Sequence, residues 1–210
     1  MVIKKRGQVS LEFMLIFGMM LILLLYSVNN ITFREGSTST ETLRIQISLE
    51  EKNLANAISN TISQVYAQGP GAKSTTYVRI TYLRDPDMLL KGLGVNSPKV
   101  FITYGNYSTE GNGTYVTVVG TNVNAVLSGG DKNVFWSRAM YQAVLYTSPS
   151  VWSPSGSTTF NATTVYGLEI DPTDLPGTLE IVVEWNPDNP NSWTFDSATG
   201  ELHINIKPGG

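Results

Sequence analysis

A single stretch near the N-terminus limits what this chain can become. From Val9 to Val28 the sequence is apolar apart from Ser10, Glu12 and Ser27, with Lys4, Lys5, Arg6 and Gly7 just before it. As a helix it would span roughly 30 Å, the thickness of the hydrocarbon core of a bilayer. A helix apolar on every side has to be shielded on every side, by lipid or by other protein. The basic flank would hold that end in the cytoplasm. A secretory signal peptide or a simple membrane anchor starts in the same way. A secretory signal, however, is cut after its apolar core at a pair of small residues, and Tyr26-Ser27-Val28-Asn29-Asn30 offers no such site. The small residue suited to cleavage is Gly7, ahead of the run. Glu12 is an ionisable group within the apolar stretch, at a cost of about 3 kcal/mol unless it finds a partner.

Gln8-Val9-Ser10-Leu11-Glu12-Phe13 resembles the Q-x-S-x-E-F motif of archaeal class III signal peptides, the leaders of type IV pilin-like proteins. Basic leader, glycine, motif and apolar helix occur in the family's order over about the first thirty residues. The resemblance implies cleavage between Gly7 and Gln8 by a prepilin peptidase, with Gln8, Ser10, Glu12 and Phe13 as the recognition motif. It also implies assembly of a homo-oligomeric helical filament by a pilus ATPase and membrane platform. Glu12 and Phe13 would then serve assembly, the Glu12 carboxylate pairing with the amine freed at Gln8 of a neighbouring subunit. Archaellins usually lack this glutamate, so the motif favours a non-motility pilus; the expected role is a structural pilin for adhesion or surface attachment, with a minor pilin or a membrane-anchored extracellular binding protein as the alternative. The implied location is the cell surface, reached from a precursor in the cytoplasmic membrane.

No proline occurs between Gln8 and Gln68, so one long helix, hydrophobic over 9–28 and amphipathic over 38–68, is expected. Thr38-Ser39-Thr40-Glu41 matches a capping box and marks a restart or kink after Gly36. Leu43, Ile47, Leu54, Ile58, Ile62 and Val65 recur at steps of three, four or seven and form one apolar stripe. Gln68-Gly69-Pro70-Gly71 ends the helix. The pattern then changes to β-branched and aromatic alternation at Thr76–Leu83, Val100–Tyr104, Thr114–Val119, Val123–Leu127, Thr163–Ile170, Thr178–Trp185 and Leu202–Ile206. Val134–Tyr146 suits helix or strand and leans to strand. The expected class is α+β: a leader over 1–7, a helix over 8–68, a linker over 69–76 and a mostly antiparallel, sandwich-like β head over 77–210.

The net charge is −3, and loss of Lys4, Lys5 and Arg6 makes the product more acidic by three units, which argues against a nucleic-acid-binding surface. The chain has no cysteine, so disulfides, thiolate metal sites and a cysteine nucleophile are excluded. His203, the one histidine, reads as a solvent-facing strand residue. Asp85 and Asp87 around Pro86, and Asp171 and Asp174 around Pro172, read as turn chemistry in preference to calcium ligands. Trp136, Trp152, Trp185 and Trp193 read as core or interface anchors in preference to a sugar platform. Phosphate loop, nucleophile elbow and paired-carboxylate motifs are absent from the sequence, so the reading assigns no catalytic residue, no metal and no cofactor. Asn30, Asn106, Asn112 and Asn161 each open an N-x-[ST] sequon and are the candidate glycosylation sites, the last three in the head.

Intact mass spectrometry of cell-surface material is expected to show loss of seven residues and a chain starting at Gln8. Retention of Met1, or a start beyond Val28, would contradict the leader reading.

Overall fold

The computed structural model describes residues 4–32, 38–107, 111–123, 125–127, 132–142, 148–160 and 162–207, with side chains of the first helix described over 12–28. The chain divides into two compact units, Met1–Leu43 and Arg44–Gly210. The division falls within a helix, so most of the amphipathic segment belongs with the head.

In the first unit, α1 (Lys4–Thr32) is one continuous helix that takes in Gly7 and Gln8, starting ahead of the expected boundary at Gln8. A second helix, α2 (Thr38–Gln68), starts at the capping-box threonine and stops where Gly69 adopts φ 91° and donates its N–H to the Val65 carbonyl. Residues 33–37, between the two helices, lie outside the described residues.

The second unit is α+β. Its strands are β1 (Lys73–Arg79), β2 (Lys99–Gly105), β3 (Gly113–Val119), β4 (Val134–Arg138), β5 (Trp152–Ser153), β6 (Ser155–Phe160), β7 (Thr163–Ile170), β8 (Thr178–Glu184), β9 (Ser192–Asp196) and β10 (Glu201–Asn205). They form two five-stranded sheets, ordered β1-β8-β10-β9-β5 and β4-β3-β2-β7-β6. Pairing is mostly antiparallel; β10 runs parallel to β8, and β5 to β9. The apolar stripe on α2 is the spine of the core: Ile47, Leu54, Ala55, Ile58, Ile62 and Val65 are wholly buried. Aromatic side chains link helix and sheets, with Tyr104 of β2 5.9 Å from Trp193 of β9, and Tyr66 of α2 stacked on Trp185 at 5.9 Å.

Polar groups fix the helix in place. The buried Glu50 carboxylate accepts the backbone N–H groups of Thr81 (2.5 Å), Tyr82 (2.7 Å) and Leu83 (2.8 Å). This explains why the alternation at Thr76–Leu83 does not stay a strand: Ile80 still donates to the Gly177 carbonyl, and from Thr81 on the backbone donors turn to Glu50 and leave the ladder. Nine residues on, Ser59 Oγ donates to the Ser137 carbonyl (2.7 Å), lies 2.9 Å from Thr114 Oγ1 and accepts the Thr114 N–H (3.2 Å).

Other expectations also changed. Among the described residues of 123–127 there is no strand: the Asn133 side chain accepts the Val126 N–H (2.7 Å), and Val123 makes an isolated bridge with Gly120. Of Val134–Tyr146, the part up to Arg138 is strand β4, while 143–146 lies outside the described residues. Asp85-Pro86-Asp87 opens a helix, α3 (Pro86–Leu93): Asp85 caps the N–H groups of Asp87 and Met88, Pro86 takes the first turn, and Gly94 at φ 70° closes it.

Replacing Glu50 by alanine removes the acceptor of three backbone donors at once, that of Leu83 buried and those of Thr81 and Tyr82 part-buried. Glu50→Ala is expected to lower unfolding stability by about 3 kcal/mol, and Glu50→Gln by less because one amide oxygen still accepts. Guanidinium titration followed by tryptophan fluorescence measures both; equal midpoints for wild type and Glu50→Ala would remove this clamp from the stability of the head.

Candidate functional site

Two places in the chain carry residues that folding alone does not explain. The first is α1. Leucine, isoleucine, methionine and phenylalanine support the helix, and its one described glycine, Gly18, has no neighbour within 4 Å of where a Cβ would stand. Phe13 and Phe17, one turn apart, stack at 6.3 Å. Every large apolar side chain described on α1 is exposed, from 46% at Leu21 to 74% at Met14, and Glu12 stands exposed among them. Among the described residues no helix is long and apolar enough to cross a membrane. The bilayer-length segment expected over Val9–Val28 extends beyond the described side chains, which run over 12–28, roughly 25 Å of helix. The backbone at Gly7, Gln8 and Ser10 is helical, and their side chains lie outside the described residues.

The second place is in the head. Glu51, next to Glu50 on α2, is 1% exposed and lines a cavity of about 280 Å³ bounded by α2, the end of α3, β3 and β4. Its carboxyl accepts the Val118 backbone N–H, while Oε1 has no hydrogen-bond partner among the described residues. Burial pushes this carboxyl well above the usual carboxylate range; the Val118 N–H pulls the other way, and the charge on Glu50 adds to the rise. The sequence carries a signal for this residue: Glu51 is four residues from Ile47 and three from Leu54, and so falls on the buried stripe itself.

Residues 5–31 match the class III signal peptide family. The match indicates a type IV pilin-like precursor. It implies processing by a prepilin peptidase and a structural, non-enzymatic family, and it is consistent with an archaeal source. It speaks for the leader and first helix and does not reach the head. No curated protein and no solved structure matches the chain.

The other candidates have structural partners. His203 lies on the central strand β10 between the wholly buried Leu202 and Ile204, its side chain 32% exposed on the opposite side, with Nε2 3.5 Å from Glu184 Oε1. Asp171 pairs with Lys99 Nζ at 2.5 Å and caps the Thr173 N–H; the lysine and those hydrogen bonds hold its carboxyl below the usual range. No cluster of acidic and histidine side chains able to hold a metal occurs among the described residues. Trp152 and Trp193 are buried against each other at 5.1 Å, and Trp136 stacks on Tyr115. Asn106 is exposed. Asn112 is half-buried, its carbonyl accepts the Ala139 N–H, and the threonine of its sequon, Thr114, is wholly buried. Asn161 and the side chain of Asn30 lie outside the described residues.

Because Glu51 binds its proton more tightly folded than unfolded, the unfolded chain releases that proton first as pH rises. The stability it contributes is present below about pH 4.5 and lost progressively above it, until the raised folded value is passed. Glu51→Gln is expected to flatten this decline, as seen in guanidinium midpoints compared between pH 5 and pH 8. Parallel pH profiles would show that the Glu51 carboxyl does not titrate differently in the two states.

Proposed function

We propose that the chain is the structural subunit of a surface pilus, polymerising through α1 into a helical filament that serves adhesion or surface attachment. The observation that carries this reading is the class III match on a helix whose described apolar side chains are all exposed in the single subunit. Such a surface needs lipid before assembly and other copies of itself afterwards. A head-to-tail contact that does not close yields an open helical polymer.

Cleavage between Gly7 and Gln8, guided by Gln8, Ser10, Glu12 and Phe13, makes Glu12 the fifth residue of the mature chain. Its carboxylate then meets the amine of Gln8 on an adjacent subunit, which neutralises two charges that are costly at low dielectric and sets the axial register. An assembly ATPase and membrane platform supply the subunits from the cytoplasmic membrane. The head covers the filament exterior. Of its two described sequon asparagines, Asn106 is the exposed one, and Asn112 would have to be modified before Thr114 is buried. The second reading, a minor pilin or anchored binding protein, is favoured by one observation, the cavity at Glu51.

Glu12→Gln and Glu12→Val are expected to leave leader cleavage intact and cut filaments per cell by about tenfold or more, since neither side chain recruits the amine. Asp87→Ala, at an exposed head position, should leave the count unchanged. Electron microscopy of strains expressing only the variant gives the count, and an immunoblot gives processing. Normal filament numbers in both Glu12 variants would assign register to apolar packing alone.

A further inference from the structure

The cavity at Glu51 has an ordered distribution of chemistry. Arg44, Ser48 and Glu51 lie at i, i+4 and i+7 on α2 and share one face of the helix, so they form one wall. Arg44 and Lys132 are exposed, placing two cations at the opening, while Glu51 is buried at the inner end. Val118 of β3 and Phe135 of β4 give the opposite side an apolar surface. The space, about 280 Å³, lies at the small end of the range for ligand pockets and suits a molecule of one ring or a short chain.

A buried carboxyl oxygen without a partner is uncommon in folded proteins and calls for an explanation. One oxygen of Glu51 serves the fold by accepting the Val118 N–H, which leaves Oε1 alone without a partner among the described residues. The terminal torsion of a glutamate side chain is broad, so a small rotation presents Oε1 to the cavity.

We propose that this cavity binds a small organic carboxylate: its anionic group meets Arg44 and Lys132, its apolar body lies against Val118 and Phe135, and an inner hydroxyl or N–H donates to Glu51 Oε1. The ligand thus carries a carboxylate at one end and a hydrogen-bond donor at the other. The site gives the head a binding role beyond its structural one. It lies wholly within the Arg44–Gly210 unit, so binding is measured without filament assembly.

The probe is 4-hydroxybenzoate, with benzoate and phenol as comparators, titrated into the full chain in detergent by isothermal calorimetry. The wild type is expected to bind 4-hydroxybenzoate saturably and at least about tenfold more tightly than benzoate, because a site built to receive a donor rejects the analogue that lacks it. Glu51→Leu is expected to erase the difference between the two acids. Lys132→Glu, at an exposed position that leaves the core untouched, is expected to weaken both acids by about tenfold while leaving phenol unchanged. Absence of saturable binding up to about 10 mM overturns the proposal. So does equal affinity of the wild type for 4-hydroxybenzoate and benzoate, or insensitivity of both acids to Lys132→Glu.

Discussion

Ile47, Leu54, Ala55, Ile58, Ile62 and Val65 lose all contact with water within the head, and the arrangement of the second unit depends on their burial. Five of the six are large aliphatic side chains, whose burial stabilises by about 10 kcal/mol in total, comparable to the whole stability of an ordinary domain. The head is therefore built around the helix. The sheets alone would expose the apolar surface that α2 covers. This is why the compact unit starts at Arg44, inside the helix, with no boundary at Gly69. The polar contacts at Glu50 and Ser59 add direction to this burial: they fix the rotation and axial position of the helix, which apolar contact alone leaves free to slide.

Where local pattern and tertiary environment agreed, the sequence was readable. The stripe on α2, its capping-box start and its glycine stop follow from spacing and turn chemistry, and the structure places each within a residue or two. Leu43, the first of the stripe, is only half-buried. β2, β3 and β7 were marked by β-branched and aromatic residues that suit a buried pleated surface. β6, Ser-Gly-Ser-Thr-Thr-Phe, carries almost no such signal: it is an edge strand whose side chains largely face water and whose hold on the sheet is its backbone pairing with β7. The parallel pairing of β10 with β8 was also invisible, since no residue in either strand records which neighbour it will meet.

The candidate site divided in the same way. The leader and Glu12 were legible because the constraint on them is linear: a basic cluster, a glycine and an acid at fixed spacing ahead of an apolar run. Glu51 was harder, because an acid on a polar helix draws no notice until the stripe is projected round the axis and the acid is found on its apolar side. Glu50 and Glu51 are adjacent and both buried, yet one is saturated by three backbone donors and the other keeps an oxygen unpartnered. Two identical residues side by side thus do different physical work, and only the packing of the chain around them tells them apart.

The clasp around α2 also bears on how the head carries load. Tension travelling along α2 enters the head at the helix and leaves through the strands bound to it. On that path the three N–H groups held by Glu50 and the backbone groups held by Ser59 sit about nine residues apart, roughly 13 Å along the helix. Sliding the helix along its own axis would break both attachments in one movement, whereas peeling it away would break them in turn. A head gripped at two separated points in this way is stiff to an axial pull and softer to a sideways one.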